Sequence, residues 1–424
     1  MMNSKRLWKL LRLTRELWVR TAILAVLALV AALLAEFLGP IIPASIAKNF
    51  GRGAALPLLN IIANSMLTVT TFSLTIMVTA YQQASLQSTP RAQRVLLEDT
   101  TTHTVLATFL GAFIFSLLSI ILMRAHVYDD RAAVVVFGFT VAVVAMVVVA
   151  ILRWIEHLSR LGFMDDTLDQ IEGQARMALE IRRERPSLGA RPLSAAAVIP
   201  GGCRKIRAGR GGYVQFIDTG AISSCVEAAG TEFYLAVLPG DHVTHDTPLG
   251  HAIGGDAEHH AKIADAIHIG RVRTADQDPR FGLLVLSEIA SRALSPGVND
   301  PGTAIDVAFR LERLLLDHAR PSKAAQEVTY PRVHAPVLTD AHLVSDAFSA
   351  LSRDGAPLIE VAMRLQHALR MLRERGAPEM AAAAEDVART ALAYAEAALP
   401  LSSECDRLWR ASGLTRPEEG PKKA

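Results

Sequence analysis

Residues 57–81 read PLLNIIANSMLTVTTFSLTIMVTAY, and this stretch decides the fold class. At about 1.5 Å rise per residue, a helix of that length crosses a ~30 Å hydrocarbon layer. No charged residue occurs from Gly53 to Pro90. One face of such a helix is nevertheless polar. Asn60, Asn64, Thr68, Thr71, Thr75 and Thr79 recur at helical spacing. At about 100° per residue they share an arc of roughly 100°, a stripe along most of the bilayer thickness. Beyond it, Thr89 and Pro90 read as the N-cap and first residue of a new helix.

Three further segments are apolar enough to span a membrane: 18–38, 102–123 and 132–152. The first resembles a secretory leader, but its basic preamble is long and Pro40 and Pro43 crowd the small-residue site at Ala44–Ala47. An uncleaved anchor is the expectation. The remainder of the 424 residues is of ordinary polarity, although apolar types make up 51% of the chain and charged types 20%. The net charge of +2 gives no field that would gather nucleic acid. Cys203, Cys225 and Cys405 form neither a CxxC nor a zinc spacing, which suits reduced thiols.

Basic residues set the orientation. Lys5, Arg6, Lys9, Arg12, Arg15 and Arg20 precede or open the first span, whereas the first and third connections carry two each. Trp8, Trp18 and Trp154 flank spans on the same side as these clusters. Both termini are therefore expected in the cytoplasm, on the same side of four spans.

After the fourth span, Ile155, Leu158, Leu161, Leu168, Ile171 and Leu179 keep helical spacing to about Glu184, predicting a helical extension into water. Tyr213–Ile217 and Glu232–Leu238 read as strands with a short helix between them. Pro239-Gly240-Asp241 is similar to a turn in barrel-sandwich modules related to lipoyl and biotinyl domains, but no lysine stands at a hairpin tip to carry a cofactor. After Pro331 the chain reads as helices, and its last residues as disordered.

The densest chemistry lies between Ile269 and Asp306. Asp278-Pro279 and Asp300-Pro301 each predict an N-cap followed by a first helical proline. The helices they open, joined by Ser295–Asn299, form an αα-hairpin. Arg271, Arg273, Asp276, Asp278, Arg280, Glu288, Arg292, Asn299 and Asp300 crowd this region, with Glu288 and Arg292 at i,i+4. Caps and ion pairs that fix the hairpin account for them. So does a site for a small anion or nucleotide-like ligand, because arginines beside helix N-termini suit phosphate. His251, His259 and His260 are weak metal candidates without a zinc pattern. No nucleophile or metal-triad motif supports an enzyme, and no cofactor is expected.

The run from Arg273 to Pro279, then Glu288-Ile289-Ala290 and Arg292–Pro301, resembles the bacterial membrane-protein family called domain of unknown function 2254. So do Ser88-Thr89-Pro90-Arg91, Gly212–Gln215 and Pro239–Asp241. The resemblance implies a four-span inner-membrane protein with a cytosolic C-terminal domain, and no activity.

The expected fold is thus an α-helical membrane protein: a four-helix transmembrane bundle followed by a cytosolic α+β domain. Its parts are a basic N-terminus (1–17), the transmembrane domain (18–152), a helical extension and linker (153–190), a small β-rich module (191–256), a helical domain (257–413) and a tail (414–424). Two functions compete. Either copies of the second span surround a pore in a homo-oligomer regulated by the cytosolic domain, or the spans only anchor a ligand-binding or signalling module. The stripe favours the first reading unless its side chains simply hold neighbouring helices together. The Arg/Asp-rich hairpin favours the second, with a small anionic cytosolic ligand.

Overall fold

The computed structural model describes residues 41–416 apart from 88, 98–99, 126–128, 160–162, 195–198 and 322–327, together with 19, 21–22, 26, 30, 34–35 and 37–38. The expected first span, the basic segment before it and the tail beyond 416 therefore lie largely or wholly outside the described residues. The chain forms two compact units. The described residues of 19–86 and 93–166 make one, and those of 87–92 and 167–416 the other.

The first unit contains α1 (Ala44–Phe50), α2 (Arg52–Gln87), most of α3 (Pro90–Leu97), α4 (Thr100–Arg124) and α5 (Asp130–Leu158). Among the described residues, three helices are long and apolar enough to cross a membrane, within α2, α4 and α5. These are the expected second, third and fourth spans, each extended by a few residues at its ends. The core joins Leu59 and Met66 of α2 to Phe109 and Phe115 of α4 and to Val136, Val143 and Trp154 of α5. Asp129 starts α5, its carboxylate accepting from the Ala132 N–H at 2.7 Å.

The continuous helix expected from the fourth span to Glu184 does not form. α5 ends at Leu158, where the Ser159 hydroxyl donates to the Glu156 carbonyl. A separate helix, α6 (Met164–Glu184), then begins with Asp165 and Asp166 in its first turn, where carboxylates complement the helix dipole. Those two acids are a start signal that the apolar periodicity concealed.

The second unit is α+β. Its strands are β1 (Ala190–Leu193), β2 (Arg204–Arg207), β3 (Gly212–Ile217), β4 (Glu232–Leu235), β5 (His242–Val243), β6 (Pro248–Ile253), β7 (Ile267–Gly270) and β8 (Tyr330–Pro336). Between them lie α7 (Thr219–Ala228) and α8 (Ala257–Ala266). One sheet has the order β1-β8-β4-β6-β2, the other β5-β3-β7. The β-rich part therefore draws β7 and β8 from beyond residue 256. β8 lies inside the larger sheet, parallel to both neighbours, and buries Val333 and Ala335 among Phe233, Ile222 and Ala190. The expected all-helical run after Pro331 is corrected by this strand.

Six helices complete the unit: α9 (Pro279–Ala293), α10 (Pro301–His318), α11 (Asp340–Asp354), α12 (Ile359–Arg375), α13 (Pro378–Ala398) and α14 (Ser402–Ser412). The last four are the helices expected after Pro331. Proline at the first helical position opens α9 and α10, as the two Asp-Pro pairs require.

Candidate functional site

The polar stripe lies on the outside of its own unit. Leu59, Ile62, Met66 and Ser73 of α2 are buried, whereas Asn64, Thr68, Thr71, Thr75 and Thr79 are exposed and Asn60 is half-buried. The Thr71 hydroxyl donates to the Leu67 carbonyl at 2.9 Å, Thr75 to Thr71 at 3.1 Å and Thr79 to Thr75 at 3.0 Å. Thr68 bonds Asn64, and the Asn60 amide bonds Leu56. Each hydroxyl thus spends its proton on its own helix and turns its oxygen lone pairs outward. Among the described residues, the bonds made by these side chains stay within α2.

The hairpin residues are assembled around Asp278. This carboxylate is 1% exposed and receives Arg273 Nε at 2.5 Å and Nη2 at 3.2 Å. It also caps α9, accepting from the Arg280 N–H at 3.1 Å. Burial raises the carboxyl's pKa, and the Arg273 pair opposes that shift. Three of the phrases that carry the family resemblance meet here, Gly212–Gln215, Pro239–Asp241 and Arg273–Pro279. The Gly240 N–H donates to the Val214 carbonyl and the Val214 N–H to Asp241. Gln215 donates to the Val272 carbonyl at 2.6 Å, and the Gln277 amide bonds both polar backbone groups of Ile217.

The other candidates are spread through the fold. Arg280 makes a two-pronged pair with Asp346 of α11, which raises its pKa. Glu288 pairs with Arg91, and Arg292 is half-buried on the last turn of α9. Asp300 caps α10, accepting from the Thr303 N–H and hydroxyl, and these bonds hold its pKa below the usual carboxylate value. Asn299 is exposed in the left-handed conformation at φ 51°, and Arg271 is exposed. Asp276 lines a cavity, together with its neighbour Gln277.

His251 stands on β6, while His259 bonds Asp256 and His260 bonds the Gly254 carbonyl. Among the described residues, no three His, Cys, Asp or Glu side chains are gathered for a metal ion.

The sequence reading missed an ion network between α6 and α10. Glu172 receives Arg313 at 2.6 and 3.0 Å, Arg310 at 3.0 Å and Arg176 at 2.8 Å. Arg310 also reaches Asp169 and Asp306. Burial would raise the Glu172 carboxyl, but bonds from Arg313 and Arg176 outweigh it and hold its pKa below normal. On sequence alone, the charges of α6 look like a solvated face.

A family model described as a predicted membrane protein, DUF2254, matches residues 14–371. Uncharacterized proteins of Mycobacterium bovis and of Mycobacterium tuberculosis are each 27% identical over 289 residues, covering 65% of this chain and 55% of theirs. The chain thus spans about half the length of the curated relatives it matches. No solved structure matches it.

Proposed function

The chain belongs to the DUF2254 family of predicted membrane proteins, and from that premise we propose that it assembles as a homo-oligomer around a hydrated path lined by α2. Asn60, Asn64, Thr68, Thr71, Thr75 and Thr79 line this path. In this reading Trp18–Leu38 is a fourth span, the protein sits in a bacterial cytoplasmic membrane, and both termini are cytoplasmic. It acts as a channel or transport-like protein, not as an enzyme.

One observation carries the reading: the stripe faces away from its own unit. An asparagine amide turned to hydrocarbon at membrane depth is unfavourable. Copies of α2 meeting around an axis place Asn64 and the threonine oxygens in water instead. The stripe holds no Asp, Glu, Lys or Arg, so it suits a weakly selective pore more than a proton-coupled pump.

A membrane-anchored ligand-binding module without a pore is the second reading. The buried, unpaired Arg182 in a cavity of the C-terminal unit favours it.

Cysteine accessibility separates the two. In a chain whose Cys203, Cys225 and Cys405 are replaced by serine, Thr71→Cys should react with a membrane-impermeant thiol reagent in liposomes. Phe72→Cys, also exposed on α2 but off the stripe, should not. An unreactive Thr71→Cys, or equal reaction at both positions, contradicts a hydrated stripe.

A further inference from the structure

A cavity of about 270 Å³ opens in the C-terminal unit between the end of α6, the start of α7 and the turn before α9. Its walls include Ile181, Leu188, Ile217 and Tyr330, which are apolar or aromatic. Its polar groups are less ordinary. Arg182 lines it, is only 7% exposed, and has a buried Nη1 with no hydrogen-bond partner. Burial lowers this guanidinium to about 10, with Asp278 opposing the shift, so it keeps its charge at neutral pH. Asp278 already holds Arg273 in a two-pronged pair. A buried cation without a contacting anion is an unfavourable arrangement for a fold to retain.

Two further features meet in the same place. Thr219 and Gly220, the first residues of α7, line the cavity, and the Asp218 carboxylate caps that helix by accepting from the Ala221 N–H at 2.9 Å. Ser187 and Leu188 are held in the left-handed region at φ 51° and 61°, a conformation that disfavours any residue with a Cβ. Strain of this kind persists where surrounding structure enforces a particular backbone path, and here that path forms the wall beside Arg182. Asp276 and the exposed Glu184 also border the cavity. Their carboxylates reject a second negative group and accept bonds from hydroxyl or amino groups.

We propose that this cavity binds a small organic phosphate, its anionic head on Arg182, its hydroxyl- or amino-bearing apolar body against Ile217, Leu188 and Tyr330. A nucleoside monophosphate has this chemistry and about this size. The site is distinct from the hairpin residues singled out by sequence, of which it uses Asp276 alone.

Adenosine monophosphate, inorganic phosphate and hexanoate, each titrated into the full-length protein in detergent, test the proposal by calorimetry and thermal unfolding. AMP should bind and raise the unfolding temperature, with inorganic phosphate and hexanoate at least roughly tenfold weaker, because the first lacks the organic body and the second lacks the phosphate head and the hydroxyl and amino groups. Arg182→Met should abolish the AMP response while unfolding no earlier than the parent without ligand, since it removes an uncompensated buried charge. Ile181→Trp leaves Arg182 in place, alters a side chain that is 41% exposed, and should weaken AMP by narrowing the cavity. Absence of binding by AMP, equal binding of inorganic phosphate or hexanoate, or AMP binding unchanged in either variant would overturn the assignment.

Discussion

Gly240 lies so close to the carboxylate of Asp278 that a Cβ built on it would fall 2.6 Å from Asp278 Cγ. Its φ of +96° disfavours a side chain independently. The Pro239-Gly240-Asp241 turn and the Asp278-Pro279 helix start are therefore parts of one packed arrangement. Gly240→Ala should destabilise the protein by roughly 2–4 kcal/mol, combining the left-handed penalty with overpacking. Gly230, also at positive φ but with nothing within 4 Å, is the control. Gly230→Ala should cost about 1 kcal/mol. Equal urea midpoints for the two variants would show that the contact with Asp278 has no energetic weight.

The two helix-capping aspartates should differ in a measurable way. Asp300 is exposed and caps α10 only, so Asp300→Ala should cost about 0.5–2 kcal/mol. Asp278 caps α9 and also neutralises Arg273, whose side chain is 16% exposed. Asp278→Ala leaves that guanidinium buried and unpaired, at a cost of roughly 3–5 kcal/mol. Equilibrium unfolding of both variants checks the ranking, which a smaller loss for Asp278→Ala would reverse.

Glu172 should make the protein acid-sensitive. Its folded carboxyl has a pKa below the ordinary value of 4.5 because Arg313, Arg176 and Arg310 outweigh its burial. A group with a lowered folded pKa contributes fully above the unfolded value, and the contribution disappears as pH falls through the folded one. Glu172→Gln should therefore lower the unfolding temperature most at neutral pH and progressively less as pH falls below the ordinary carboxylate value of 4.5. A deficit that stays constant with pH would mean that the charge of Glu172 is not what binds α6 to α10.

Local signals made much of this fold legible. Asp278-Pro279 and Asp300-Pro301 predict their helices because a cap and a first-turn proline act within four residues. The stripe of α2 is legible for the same reason, since periodicity on one helix needs no knowledge of its neighbours. What escaped depends on partners distant in sequence. Val333 and Ala335 form a strand because Phe233 and Ala190 lie waiting on other elements. Arg182 sits among charged residues of α6 and looks solvent-facing until β3, α7 and β8 close around it. Glu172 finds Arg310 and Arg313 across 138 and 141 residues. The charges near the hairpin are divided among caps, ion pairs and the edge of a separate cavity.

The most direct measurement of the central claim is ion flux through the reconstituted protein with and without the stripe hydroxyls. Thr68→Val, Thr71→Val and Thr75→Val keep side-chain shape, and in this chain they break bonds only to their own helix. If these threonines line a hydrated path, parent proteoliposomes should conduct, Thr71→Val should conduct less as the constriction dewets, and the oligomer should remain assembled. If the stripe instead joins helices of adjacent copies, each valine should weaken assembly by about 0.6 kcal/mol. A parent protein silent under every imposed ion gradient, with Thr71→Val loosening its oligomer, would contradict the pore.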